Sequence, residues 1–224
     1  MKFRHEFKYP INYLDYINLK SKLEKMMEAD PHTEDSGHYE IKSLYFDNIY
    51  DQALFEKING KHVREKFRIR MYNNDDSFIR LEKKSKIKNL TSKESTQINK
   101  EEVIKIINAQ YDWLLESNDP LKVQLYSKIK NQLLKPKTIV QYIREPFIYS
   151  AGNVRVTFDR GIKSGGNRID FFNNDCPLID AASEEIILEV KYDGFLPDFI
   201  RSLIRIDNRT ATSFSKYVVS RVYG

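Results

Sequence analysis

The chain has 224 residues, 41% of them hydrophobic, which is enough to bury a sizeable core and reads most simply as a single domain over residues 1–224. Lys and Arg number 37 against 32 Asp and Glu, a formal charge of +5 that favours an anionic partner without saying which one. The lone Cys176 excludes an internal disulfide, and there is neither an apolar leader nor an apolar run of bilayer length, so the expectation is a soluble cytoplasmic protein.

Residues 3–9 alternate, with Phe3, His5, Phe7 and Tyr9 on one face and Arg4, Glu6 and Lys8 on the other, the period of a strand. Asn12 can cap a helix running to about Ala29, whose buried stripe would be Leu14, Ile17, Leu23 and Met27, with Pro31 behind its end. Residues 37–47 read as a strand with Ser43, Tyr45 and Asp47 on one side and Leu44 and Phe46 on the other. Residues 51–59 read as a short helix stopped at Gly60. Residues 63–72 form the clearest strand: Lys66, Arg68, Arg70 and Tyr72 share one parity, and Phe67, Ile69 and Met71 the other. Its polar face is basic without a break, and arginine grips phosphate oxygens well through its planar fork of donors. Asn73-Asn74-Asp75-Asp76 is expected to turn the chain into residues 78–86, where Arg80, Glu82 and Lys84 oppose Ile79 and Leu81.

Residues 90–98 add a candidate strand carrying Lys93, and Asn99 with Glu102 resembles a capping box before Val103, Ile104, Ile106 and Ile107. Asp119-Pro120 signals the start of a helix with the stripe Leu121, Leu125, Ile129 and Leu133. Three further strands are expected at residues 138–149, 154–163 and 185–192. They place Tyr142 with Arg144, Arg155 with Thr157 and Asp159, and Glu189 with Lys191 on single faces. Short helices at 197–205 and 213–222 finish the chain, which has no internal repeat, low-complexity segment or linker.

Nearly every candidate strand therefore has an apolar face and a face of Arg, Lys and Glu. The pattern predicts an α+β, mainly β fold, a closed antiparallel barrel whose greasy faces meet flanking helices and whose charged faces point inward. The inward bases would be Lys8, Arg68, Arg70, Lys84, Lys93, Arg144, Arg155 and Lys191, and the inward acids Glu6, Glu82, Asp159 and Glu189, a ratio of about two to one. Burying so many like charges in a dry core would cost several kcal/mol per ion. The interior is therefore expected to be wet and open to a polyanion, its acids paired to bases or holding a metal. The same crowding predicts that Arg68→Ala or Arg70→Ala leaves stability unchanged or higher.

The ordered set Arg4-x-Glu6-x-Lys8-Tyr9, Ser43-Leu44-Tyr45-Phe46-Asp47, Arg68-x-Arg70-x-Tyr72, Leu81-Glu82-Lys83-Lys84, Val154-Arg155-Val156-Thr157-Phe158-Asp159, Ile187-Leu188-Glu189-Val190-Lys191 and Phe214-Ser215-Lys216-Tyr217 resembles the VTC domain. That domain is the polyphosphate-polymerase module of the vacuolar transporter chaperone, within the CYTH-like triphosphate tunnel metalloenzyme superfamily. The resemblance implies a closed antiparallel tunnel of about eight strands. It also implies transfer of the terminal phosphoryl of ATP onto a growing polyphosphate chain, assisted by Mn²⁺ or Mg²⁺. By motif, Lys8, Arg68, Arg70, Lys84, Lys93, Arg144, Arg155 and Lys216 would bind phosphate, with Arg68, Arg70 and Lys216 in the catalytic role and Glu189 as the metal ligand. Lys191 joins the phosphate-binding set because it shares the parity of Glu189 one pleat away. Phosphoryl transfer needs positioning and charge neutralisation more than a covalent catalyst, which such a set supplies.

Two departures shape the reading. Hydrolytic members of the superfamily open with E-x-E-x-K, whereas position 4 here is Arg, which agrees with the polymerase-like branch. The eukaryotic polymerase subunits also carry a regulatory domain and membrane helices, neither of which this chain shows. A triphosphate or polyphosphate hydrolase in the same tunnel, and a non-catalytic polyphosphate- or RNA-binding module, remain alternatives. DNA is not an expected partner, because the basic faces lack the exposed aromatic interleaving needed for base stacking. His5, His32, His38 and His62 lack ligand spacing, Ser164-Gly165-Gly166-Asn167 matches no phosphate loop, and Cys176 has no recognisable base partner.

Overall fold

The structure is a computed structural model that describes residues 4–33, 36–87, 90–182, 184–206 and 209–224. In chain order the elements are β1 (His5–Ile11), α1 (Tyr13–Met26), β2 (Glu28–Ala29), β3 (Tyr39–Asp47), α2 (Gln52–Ile58), β4 (Val63–Tyr72), β5 (Asp75–Ile87) and β6 (Leu90–Ile98). They continue with α3 (Lys100–Ile107), α4 (Pro120–Gln132), β7 (Lys135–Tyr149), β8 (Val154–Ser164), β9 (Ile179–Ala182), β10 (Ile186–Tyr192), α5 (Asp198–Leu203) and α6 (Lys216–Val222). Local chemistry sets several boundaries. Asn12 and Asp15 close a capping box on α1, as Asn99 and Glu102 do on α3, and Asp119 caps α4 with Pro120 in its first turn. The turn between β4 and β5 is tighter than the four residues expected. Asn73 and Asn74 alone make it, at φ 50° and 54°, a left-handed region that asparagine tolerates.

Eight strands pair antiparallel in the order β1-β10-β8-β7-β3-β4-β5-β6, with β2 added to β7 and β9 to β8. The expected closed barrel does not form. The sheet curls into an open half-barrel, and among the described residues its two edges meet at one bridge, Arg4 N–H to Thr91 O at 3.4 Å. The reason lies in the concave face, whose side chains toward the two edges are charged and pair with one another rather than packing. No apolar layer draws β1 and β6 into a ladder. A side-chain link spans the gap instead, from Lys84 on β5 to Glu6 on β1 at 2.7 Å.

The apolar parity of the strands faces the helices. Phe67, Ile69 and Met71 of β4 and Ile79 and Leu81 of β5 pack with Val103, Ile106, Leu121, Leu125 and Ile129 of α3 and α4, all buried. On the other half, Val156 and Phe158 of β8 and Leu188 and Val190 of β10 pack with Leu19 and Leu23 of α1 and Ile200 of α5. Each such side chain contributes about 1.5–3 kcal/mol on burial. The stripe expected for α1 holds at Leu23 and Met27, which are buried, but not at Leu14, 73% exposed, or Ile17, 43% exposed, whose places Tyr16 and Leu19 take. The Tyr16 hydroxyl donates to the buried Glu145 carboxylate at 2.8 Å, which turns that face of the helix inward. Leu133 of the α4 stripe is likewise half exposed, because it ends the helix at φ 55°.

Asp47, at the end of β3, ties the helices that flank the concave face. Its carboxylate accepts from the backbone N–H of Ala53 at 2.9 Å and of Leu54 at 3.1 Å, so it caps α2 where Asp51 does not. It also accepts from the Tyr217 hydroxyl of α6 at 2.5 Å, and burial together with Asp47 pushes the Tyr217 pKa up. Tyr217→Phe keeps the ring and deletes this bond to a charged group, so it should lower the unfolding free energy by about 1.5–3 kcal/mol in denaturant titration. An unchanged midpoint and slope would show that the tie between α2 and α6 contributes nothing.

Candidate functional site

Strand alternation sends one parity of β1, β3, β4, β5, β7, β8 and β10 into the concavity, and register then sets acids beside bases. Lys8 lies opposite Glu189, Glu6 opposite Lys191, Arg144 opposite Asp159, and Arg68 opposite both Glu82 and Tyr45. The result is a charge lattice around a cavity of about 180 Å³. Asp159, fully buried, binds Arg144 through both oxygens at 2.6 and 2.7 Å, and its Oδ2 accepts from Lys216 at 2.5 Å. Arg144 continues to Glu189 Oε2 at 2.8 Å, while Glu189 Oε1 faces Lys191 at 3.0 Å and Lys8 at 3.8 Å. Lys84 and Lys8 share Glu6, at 2.7 and 3.3 Å. Arg68 donates to Glu82 at 2.7 Å and to the Tyr45 hydroxyl at 3.0 Å, and Arg70 donates to Ser43 Oγ and Tyr142 OH.

Of the residues singled out from sequence, Lys8, Arg68, Arg70, Lys84, Arg144, Glu189, Lys191 and Lys216 line this one cavity. Lys93 and Arg155 do not. Lys93, on the edge strand β6, is 53% exposed along its side chain and joins the lattice only through Glu82 at 2.8 Å. Arg155 lies two pleats from Asp159 and is held by Asp30 at 2.5 Å and the Tyr39 hydroxyl at 2.6 Å. Conversely, Arg64, Lys66 and Lys86 line the cavity although they are not among the expected inward bases, Lys66 being placed only on the basic face of its strand. Their parity, shared with Arg68 and Lys84, was the signal. Lys57 reaches the cavity from α2, where strand alternation offers no guide.

The electrostatics divide the cavity. Burial and Glu189 push Glu6 upward, but Lys84, Lys8 and Lys191 outweigh them and hold its pKa at about 2. Asp159 is held at about 2 in the same way, by Arg144 and Lys216 against burial. Burial, Arg144 and Lys84 carry Lys191 down to about 8 against the pull of Glu189 and Glu6. Lys66 differs in having no ion-paired carboxylate among the described residues: burial, Lys84, Lys8 and Arg68 push it down to about 7 against the pull of Tyr45. Tyr45 is drawn to about 7 by Arg68, Lys66 and Arg70 in spite of its burial.

Among the described residues no three His, Cys, Asp or Glu side chains gather as a ready metal cage. Glu6 and Glu189, on neighbouring strands and both against Lys8, are hard oxygen donors of the kind Mg²⁺ and Mn²⁺ take one or two at a time, with phosphate and water oxygens completing the shell. They fit such an ion once an anion competes for Lys8 and Lys191. Arg4 does not join them, since it is turned to Asp193 at 2.8 Å and the Asn153 carbonyl at 2.6 Å.

The sequence model of the VTC domain matches residues 3–222. The chain belongs to the VTC domain family. No curated protein matches it. Solved structures similar to this VTC domain include a conserved hypothetical protein from Pyrococcus furiosus, at 12% identity and TM-score 0.46, covering 90% of this chain and 85% of that one. A "putative adenylate cyclase" from Bacillus halodurans matches at 13% identity and TM-score 0.49, covering 90% and 86%. A Pyrococcus horikoshii protein matches at 16% and 0.44, covering 90% and 85%. No helix of the VTC domain is long and apolar enough to cross a membrane among the described residues.

Two outcomes follow from the lattice. The expectation that Arg68→Ala would be neutral or stabilising is reversed, because Arg68 neutralises Glu82, which is 2% exposed. That variant should lose about 1–3 kcal/mol of unfolding free energy, Lys93 and Arg70 offsetting the remainder, and a neutral effect in denaturant titration would contradict the pairing. The second concerns pH. The ordinary values are 10.0 for Tyr45 and 10.5 for Lys66, so between about pH 7 and 10 the unfolded chain holds protons that the folded chain has given up. Stability at these two groups therefore rises with pH across that window. Thermal melts of Lys66→Met should show a flatter rise than wild type, and an identical slope would exclude the depressed lysine.

Proposed function

We propose that this VTC domain is a polyphosphate polymerase-like phosphotransferase that moves the terminal phosphoryl of ATP onto a polyphosphate chain within the basic cavity, with Mn²⁺ or Mg²⁺ as the assisting ion. The observation that carries this reading is the convergence of Lys8, Arg68, Arg70, Lys84, Arg144, Lys191 and Lys216, from five strands and α6, on one concave space. Arg4 supports transfer over hydrolysis, since it replaces a carboxylate and points out of the cavity.

In the reaction, the P–O bond to the ADP leaving group breaks as a bond forms to the terminal oxygen of the chain, giving ADP and a chain longer by one phosphate. That acceptor oxygen is already ionised, so the site needs no general base. Arg68 and Arg70 present planar forks to the transferring group, with Glu82, Tyr45 and Tyr142 holding them in place. Lys216 adds a point charge, positioned by Asp159 and 4.5 Å from the Tyr142 ring centroid. Lys8, Lys84 and Lys191 hold the remaining phosphates, exchanging Glu6 and Glu189 for substrate oxygens. A divalent ion on Glu189, assisted by Glu6, would neutralise charge on adjacent phosphate oxygens.

Incubation with ATP and Mn²⁺, with products resolved on a gel and by phosphate release, tests the reading. A ladder of polymer supports it, and stoichiometric free phosphate without polymer supports hydrolysis. Glu189→Gln keeps the shape and removes the charge, so tripolyphosphate binding should survive or strengthen while Mn²⁺-dependent turnover collapses. Near wild-type turnover with an unchanged Mn²⁺ response would remove Glu189 from the mechanism.

A further inference from the structure

The bases of the concave face are not equally compensated. Toward the start of β4 and the end of β5 the compensation thins. Lys57, Lys66 and Lys86 have no carboxylate within ion-pair distance among the described residues, and Arg64, which feels Glu56 only from farther off, donates to the Lys61 carbonyl at 2.5 Å. Register makes this worse, because Arg64 lies directly opposite Lys86, and Lys66 directly opposite Lys84. Like charges facing each other across a strand pair are destabilising. All four side chains are half-buried rather than spread into solvent, so the repulsion is not simply screened away.

Space and length point the same way. Arg64, Lys66 and Lys86 also border a second hollow of about 500 Å³, which opens beyond the 180 Å³ cavity. In that hollow Lys83 and Lys128 are already paired with Glu65 and Glu94, so the unmet charge is confined to the passage between the two spaces. Along β4, Arg64, Lys66, Arg68 and Arg70 occupy successive positions of one face, a run of about 20 Å. Three linked phosphates are too short to reach from Arg70 to Arg64.

We propose that Lys57, Arg64, Lys66 and Lys86 form an additional polyanion subsite, which binds the phosphates of a long chain that extend beyond those held in the compensated part of the cavity. The inference rests on the functional reading above and adds to it a preference for chains over triphosphate and a path for the chain at the β4–β5 end. Burial with Arg64, Lys8, Lys86 and Lys84 around it lowers the Lys57 pKa to about 8, as Lys66 is lowered to about 7, so a chain seated here restores protons that the empty subsite sheds.

The test is calorimetric titration of the full chain, without metal, with tripolyphosphate and with long-chain inorganic polyphosphate at about 0.15 M salt, where more distant charges are screened. Wild type should bind the long chain more tightly. Lys57→Gln combined with Lys86→Gln should weaken the long chain by about tenfold and leave tripolyphosphate within about twofold. Its melting temperature should hold or rise, since neither lysine is ion-paired and the like charges around both outweigh Glu6. Lys25→Gln with Lys105→Gln, exposed on the outer helices, removes the same net charge and should change neither ligand. A parallel loss for both ligands, or no loss for either, overturns the subsite and leaves the function standing. Wild-type chain that binds neither ligand overturns the functional reading, and the subsite falls with it.

Discussion

Asp159 is the residue on which the concave face depends. It is fully buried on β8 yet remains ionised, because Arg144 from β7 and Lys216 from α6 close on both its oxygens. A carboxylate in that position without bases would be prohibitively costly, and bases in that position without a carboxylate would repel each other. The two requirements meet in one ion cluster, and Arg144 passes the arrangement on to Glu189. Positions of side chains from β7, β8, β10 and α6 are thereby set by electrostatics. The hydrophobic layers under α1, α3 and α4 fix only the backbone.

Much of this was legible in residue order. Period-two alternation placed Lys8, Arg68, Arg70, Arg144, Glu189 and Lys191 on one face correctly, because register in a half-buried sheet cannot slip without exposing the apolar parity. Alternation says nothing about position along the strand axis, which is why Arg155 was grouped with the cavity although it sits two pleats away beside Asp30. It is equally silent on whether the first and last strands pair, and so the barrel was expected to close. Lys57 was beyond reach, since its approach depends on how α2 docks, and that docking depends on Asp47. The stripe of α1 departs from expectation at Leu14 and Ile17 for a related reason. Tyr16 outranks Leu14 and Ile17 for burial because a carboxylate 129 residues away accepts a hydrogen bond from its hydroxyl.

The distribution of acids also separates rigid from yielding parts of the cavity. Arg144 and Arg68 are fixed by short charge-assisted bonds, so they meet an incoming anion in a ready geometry, and little rotamer freedom is lost on binding. Lys8, Lys84 and Lys191 share carboxylates that an anion can replace, making the contacts exchangeable. Such a mixture suits a ligand that must be gripped and also moved along.

The wall carrying Lys216 belongs to the last helix of the chain. At seven residues α6 is far too short to hold its shape in water by itself, so it becomes helical only by docking. Its anchors are distant in sequence: Tyr217 meets Asp47 across 170 residues and Lys216 meets Asp159 across 57. Closing such long loops is entropically late, after the local hairpins of β4, β5 and β6 have formed. The sheet can therefore assemble while its cavity still lacks one side, and the concave face acquires its full set of charges only when α6 docks.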